Sequence, residues 1–252
     1  MSTIDQIQCL SSPTVINSTE HLAQCTELLI SRQILATSGF FLLLCGTLVF
    51  FMQAGFCMVC AGRVRTKNLE NSMLKNFLDL CGAALAFFAF GYAFAFGGGS
   101  TFIGSTHFFM SNMNIDELVF WFFQMAFAAT AATIVAGAVA ERCQMIAYFV
   151  YSFALTGFVY PVVVRSLWTD SGFLRNMWGA GYGAVDFAGS GVVHLTGGYC
   201  ALIAAILLGP RKGRFFGELI YLEFRILTKY ILIFVEHIID IRNGQVLDKV
   251  CV

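Results

Sequence analysis

The chain has 252 residues, of which 58% are apolar, and its 15 basic side chains balance 15 acidic ones. Only 12% of the residues are charged, against roughly 25% in an ordinary soluble domain, so a soluble globular protein is excluded. The zero net charge removes any electrostatic case for nucleic acid, because binding a phosphate backbone needs clustered lysine and arginine. The composition is typical of an all-α membrane protein in a lipid bilayer.

The polar N-terminal stretch, residues 1–33, is predicted to be a retained segment outside the membrane. A signal peptide would begin with positive charge and a short apolar core, and neither is present. The segment carries an N-x-S/T tripeptide at Asn17 and two cysteines, Cys9 and Cys25. If it faces an oxidising compartment, Asn17 is a candidate for glycosylation and the cysteines for pairing. An unmodified tail is the alternative.

Five apolar runs follow, each long enough to cross a bilayer as a helix. They cover residues 34–61, 76–96, 118–140, 145–164 and 189–209. The third run is rich in alanine, threonine and glycine, which favours burial inside a helix bundle. Lysine and arginine follow the first, third and fifth runs, whereas residues 97–117 contain neither. The positive-inside rule therefore predicts that the N-terminus lies outside.

Two polar residues mark the start of the fifth run. His194 lies inside it, where an ionisable side chain is costly and usually functional. A structural histidine bonded to a neighbouring helix is the alternative. Asp186 precedes the same run, where its carboxylate can cap the helix start and can also favour a cation nearby. The two residues share the outer side of one helix, so they are the first candidates for a site.

Three aromatic residues are further candidates. Phe123 and Phe127 are four residues apart and lie on one helix face, although a chain with 27 phenylalanines offers packing as the simpler explanation. Trp168 stands where an outer membrane interface is expected, and an aromatic belt explains it equally well. If the three rings met in one vestibule, they could hold a small cation, worth roughly 0.5–2 kcal/mol.

Metal, redox and cofactor chemistry are not predicted. Cys57 and Cys60 have C-x-x-C spacing, but they lie in an apolar run without a second pair. The triple glycine at residues 97–99 lacks the Lys-Ser/Thr ending of a phosphate-binding loop.

Several motifs, in one order, resemble the ammonium transporter (Amt/Rh) family in its Amt form. They are FMQAGF at 51–56, CAG at 60–62, KN at 67–68, GAVAER at 137–142 and AVDFAGSGVVH at 184–194. The resemblance covers residues 25–214 and implies two inverted halves of five helices plus a last helix. Residues 34–214 would form the first half. It also implies trimers, with a separate pore in each subunit, in the plasma membrane.

The resemblance implies a transport site rather than an enzyme. Ammonium would be recruited at an outer aromatic vestibule, lose its proton and cross past two pore histidines. His194 resembles the first of these histidines, and Asp186 the carboxylate that shapes the recruitment site. Phe127 resembles the outer gate phenylalanine, which also lines the pore, and Phe123 and Trp168 resemble rings of the vestibule.

The sequence departs from the family at two places. Residues 215–252 do not match it and are predicted to be an unmatched tail that could form an interfacial helix. The chain is therefore expected to be a truncated transporter that does not conduct alone, as a homotrimer or in hetero-oligomers with full-length paralogues. Arg165 stands where the family often has histidine, and an extra cation there would weaken recruitment.

Two other functions stay open at this point. A non-conducting subunit or ammonium sensor would keep only the recruitment vestibule of Phe123, Phe127, Trp168 and Asp186. A membrane enzyme using His194 as a base is disfavoured, because no serine, cysteine or metal constellation accompanies it.

Overall fold

The computed structural model describes residues 19–211, whose regular elements are all helical apart from an isolated bridge between Gly99 and Gly104. Five of its helical stretches are long and apolar enough to cross a membrane, which confirms the predicted all-α membrane fold. We number these spans in chain order. They are Cys25–Arg63, Thr66–Phe96, Ile115–Val139, Met145–Trp168 and Ser190–Leu208.

The spans are built from seven α-helices joined by short 3₁₀ and π segments. The α-helices are α1 (Thr19–Arg63), α2 (Leu69–Ala86), α3 (Tyr92–Phe96), α4 (Ile115–Val139), α5 (Met145–Ala154), α6 (Tyr160–Trp168) and α7 (Thr196–Leu208). The 3₁₀ segments are Thr66–Asn68 and Phe108–Met110, and the π segments are Phe87–Gly91, Leu155–Val159 and Ser190–Leu195.

Helix α1 begins well before the first predicted run. Its 45 residues give a length of about 68 Å at 1.5 Å per residue, more than twice the ~30 Å hydrocarbon layer. Residues 19–33, predicted as part of a segment outside the membrane, are therefore helical and continuous with the first span. Cys25 is disulfide-bonded, whereas Asn17 and Cys9 lie outside the described residues.

Helix α4 forms the centre of the bundle and contacts α1, α2 and α7. Six of its alanines have 2% or less of their surface exposed, as the small-residue pattern predicted. They are Ala126, Ala128, Ala129, Ala131, Ala132 and Ala136. Gln53 of α1 joins this helix through side-chain hydrogen bonds with Thr130 (3.3 Å) and Thr133 (2.8 Å). The third span is thus held by close packing and by buried polar contacts.

The second and fourth spans approach each other where both wind into π turns. A Cβ atom on Gly91 would lie only 2.5 Å from the carbonyl oxygen of Thr156, so the two backbones meet at this point. The Thr156 hydroxyl donates to the Ser152 carbonyl at 2.7 Å, and the Ser152 hydroxyl donates to the Asp79 carbonyl at 2.7 Å. The hydropathy pattern of these spans does not predict the turns.

Glu141 connects the ends of four spans. It lies on the side of the bundle where lysine and arginine follow the first, third and fifth runs. Its carboxylate, with a side chain only 2% exposed, accepts hydrogen bonds from the Arg65 amide (3.0 Å), Asn68 Nδ2 (2.7 Å) and Arg211 (2.8 Å). Burial by itself would raise the pKa of this carboxyl group. The hydrogen bonds and the charge of Arg211 outweigh that effect and lower the pKa of Glu141 to about 2.

Candidate functional site

The start of the fifth span is capped by one carboxylate. Asp186 Oδ1 accepts hydrogen bonds from the amides of Gly189 (2.8 Å) and Ser190 (3.0 Å). Its Oδ2 accepts from the amides of Gly191 (3.0 Å) and Val192 (2.7 Å). The first N–H groups of a helix have no partner within the helix, and here a single side chain binds four of them. The structure therefore shows the capping role that the sequence allowed for Asp186.

The three aromatic candidates form a continuous chain of ring contacts that leads to Asp186. The rings of Phe123 and Phe127 pack edge to face with centroids 4.9 Å apart, and Phe127 packs in the same way on Trp168 at 6.1 Å. The indole Nε1 of Trp168 donates a 2.8 Å hydrogen bond to the main-chain carbonyl of Asp186. The structure thus brings together four residues that come from the third span, the fourth span and the loop before the fifth.

His194 lies just past the capped turn, in the π segment Ser190–Leu195. Its main-chain amide donates to the Gly189 carbonyl at 3.1 Å, while its side chain is exposed. Within residues 19–211 the imidazole forms no hydrogen bond that would make it a structural histidine. Its neighbours Val192 and Val193 are buried, so the ring lies on the uncovered side of the fifth span.

Comparison with known proteins decides the family. A model described as the Ammonium Transporter Family matches residues 40–226 of the chain. The chain belongs to this family. It is 47% identical over 183 residues to "Ammonium transporter 1 member 3" of Solanum lycopersicum, covering 71% of this chain and 40% of that protein. It is 48% identical over 181 residues to "Ammonium transporter Amt2" of Archaeoglobus fulgidus, covering 69% and 38%. These relatives are named as transporters, not as enzymes.

Solved structures of the same family share the fold. A structure titled "Sensor Amt Protein" superposes with a TM-score of 0.68 at 33% identity, covering 72% of this chain and 46% of that one. A crystal structure of a Candida albicans Mep2 mutant superposes with a TM-score of 0.61 at 29% identity, covering 69% and 39%. The chain therefore spans about 40% of the length of the curated relatives it matches.

Arg165, expected to add a cation near the ammonium transporter vestibule, is engaged elsewhere. Only 4% of the residue is exposed, and its guanidinium donates hydrogen bonds to the carbonyls of Ala95, Gly97 and Ser100. These carbonyls lie at the end of α3 and in the loop that follows it. The expectation that this cation weakens recruitment stays a prediction.

A buried polar cluster that was not predicted from the sequence lies between the second, third and fourth spans. Asp79 is fully buried, and the hydroxyls of Ser152, Tyr151 and Thr133 lie close to its carboxyl group. Neither carboxyl oxygen completes a hydrogen bond with the described residues. The signal was available, because Asp79 is an ionisable residue inside the run 76–96 and meets the criterion that singled out His194.

Proposed function

We propose that residues 19–211 form the ammonium-recruiting vestibule and one wall of the pore of an ammonium transporter. The observation that carries this proposal is the convergence of Phe123, Phe127, Trp168 and Asp186 beside the helix that bears His194. Ammonium is a small cation, and the faces of aromatic rings attract such cations. The chemistry of the assembled residues therefore fits the transport named for the curated relatives.

Each residue has a distinct part in this proposal. Trp168 and Phe123 offer ring faces to the incoming cation, and the Asp186 carboxylate keeps the vestibule electronegative while it fixes the helix start. Phe127, which contacts both other rings, separates the vestibule from the apolar path and acts as the gate. A neutral molecule crosses an apolar path at far lower cost than a cation. In this proposal ammonium gives its proton to the His194 imidazole, which relays the proton along the wall, while the neutral ammonia crosses separately. The relayed proton carries the charge that a current measures.

The opposite wall, in this proposal, comes from chain outside the described residues or from another subunit. In transporters with inverted repeats the substrate path lies between the two repeats, each of which supplies one side. The exposed His194 side chain fits this arrangement, because a ring that lines a path is uncovered until the second wall is in place. The assembly is a trimer in the plasma membrane with the N-terminus outside.

Recruitment can be tested through the fluorescence of Trp168. In a Trp121→Phe/Trp178→Phe variant, this indole is the only tryptophan of the chain. Titration with ammonium chloride is expected to change its emission saturably, and sodium chloride at the same concentrations is expected to leave it unchanged. Phe127→Leu should weaken the ammonium response because it removes one of the contacting rings. Identical responses to ammonium and sodium would contradict the recruitment site.

Transport requires a separate measurement in liposomes. The 252-residue chain alone is expected to give no saturable ammonium current on a solid-supported membrane, since the described residues provide a single wall. Linked to the second half of a full-length relative, it should conduct, and His194→Ala should abolish or uncouple that current. A saturable current from the chain alone that disappears in His194→Ala would refute the single-wall proposal.

A second candidate function is an ammonium sensor or non-conducting subunit. It is favoured by the resemblance to the structure titled "Sensor Amt Protein". This function needs the vestibule but not a completed pore. Saturable ammonium binding at Trp168, with no current even when the second half is supplied, would select it over transport.

A further inference from the structure

Arg165 is a buried cation whose neighbours are main-chain carbonyl groups. Its Nη1 donates to the Gly97 carbonyl at 2.6 Å and to the Ala95 carbonyl at 3.3 Å. Its Nε and Nη2 both donate to the Ser100 carbonyl, at 3.2 and 2.9 Å. None of the ion pairs within residues 19–211 includes this side chain. Its charge is therefore balanced by peptide dipoles rather than by a carboxylate.

The Ala95 carbonyl belongs to the C-terminal end of the second span, and the Gly97 and Ser100 carbonyls lie in the loop that follows it. Ala95 is in the last turn of α3, where carbonyl groups have no partner within the helix and the helix dipole is negative. The loop that follows is tightly folded, because a Cβ atom on Gly104 would lie 2.2 Å from the Ala93 carbonyl oxygen and 2.7 Å from that of Gly97. Arg165 thus caps the second span from a neighbouring helix.

The same helix end bears a ring of the vestibule. Trp168 follows Arg165 by three residues in α6, hence about one turn along that helix. The Trp168 ring contacts the Phe127 ring, and its indole Nε1 donates a hydrogen bond to the Asp186 carbonyl. The end of α6 is therefore fastened at two points, by Arg165 to the second span and by Trp168 to the loop before the fifth.

We propose that Arg165 is a positioning residue for Trp168. By binding the carbonyls at residues 95, 97 and 100, it locks the C-terminal end of the fourth span and so fixes where the indole projects into the vestibule. A guanidinium suits this task, because its fan of donors reaches several carbonyls at once, whereas a lysine ammonium acts as a single point charge. The proposal deepens the proposed function, but it concerns the position of a ring and can be tested without ammonium.

The experiment measures acrylamide quenching of Trp168 in the full 252-residue chain in lipid nanodiscs, in the Trp121→Phe/Trp178→Phe background. Arg165→Gln is expected to raise the quenching constant roughly twofold, because a segment that loses its tertiary anchors opens locally. Arg165→Lys should fall between this variant and the parent, since it retains the charge and part of the bonding. A general loss of stability would not produce this order of quenching constants, in which the parent is lowest, Arg165→Lys intermediate and Arg165→Gln highest.

Arg175→Gln is the matched control. Arg175 lies in the loop just after α6, with its side chain 43% exposed and paired with the 99% exposed Asp170. The Arg175→Gln variant should leave the quenching constant of Trp168 unchanged. If the Arg165→Gln value equals this control, the proposal is wrong. If Arg165→Gln does not fold, Arg165→Lys is compared with Arg175→Lys instead. Equal quenching constants in these two variants would also overturn the proposal.

Discussion

Replacing Asp186 with alanine should loosen the start of the fifth span by about 2–4 kcal/mol. The carboxylate accepts four main-chain hydrogen bonds, and all four amides lose their acceptor in the variant. Ser190 is exposed and Gly191 half-buried, so water can bind their amides. Gly189 and Val192 are buried, and leaving a buried donor unsatisfied costs about 1–3 kcal/mol each. We use the lower part of that range for these two, because Asp186 itself is only half-buried.

Hydrogen exchange followed by mass spectrometry is the suitable assay, since it reports local opening. A change of about 2–4 kcal/mol corresponds to exchange about 30-fold to several hundredfold faster at residues 189–192. Asp186→Asn should give an intermediate acceleration, because the amide keeps one acceptor oxygen of two. Peptides from the centre of α4 should exchange as in the parent protein.

Asp170→Ala serves as the control for this prediction. Asp170 lies in the same loop, but its side chain is 99% exposed and pairs with Arg175 at 3.2 Å. Exposed ion pairs contribute little, so exchange at residues 189–192 should not change. If Asp186→Ala also left these amides within threefold of the parent rate, the capping argument would be refuted.

Three further predictions concern other parts of the structure. Because the folded-state pKa of Glu141 is lowered to about 2, its stabilisation is present above its ordinary pKa of 4.5 and is lost as pH falls towards 2. The difference in melting temperature between the parent and Glu141→Gln should therefore shrink across this window. Gly91→Ala should destabilise by about 1–3 kcal/mol through overpacking, while Gly137→Ala, with open space around its Cβ position, should be neutral in the same thermal melts. A single cysteine introduced at Ser105, in the loop without lysine or arginine, should react with an impermeant maleimide from outside intact cells; labelling only from the cytoplasmic side would reverse the topology.

The amino-acid sequence alone predicted the membrane fold and its five spans. Hydropathy is a sum over neighbouring residues, so runs such as 118–140 and 145–164 are visible without any knowledge of packing. The same holds for the small-residue character of the third span and for the family motifs, because both are written in consecutive residues. Asp79 was equally open to this reasoning, since an ionisable residue within an apolar run needs no structure to be noticed.

The tertiary structure alone decided which candidate residues meet. Nothing local to Phe127 or Trp168 shows that their rings pack 6.1 Å apart, because the two residues lie on different spans and their contact depends on how the helices cross. The same holds for three other contacts that depend on how the segments pack. They are the carbonyls bound by Arg165, the approach of Gly91 to Thr156 at the π turns, and the four amides bound by Asp186. Which segments span the membrane depends on the free energy of transferring each segment into lipid, and this is a local property of the sequence. The site forms only when close packing sets the distances between residues that are far apart in the sequence.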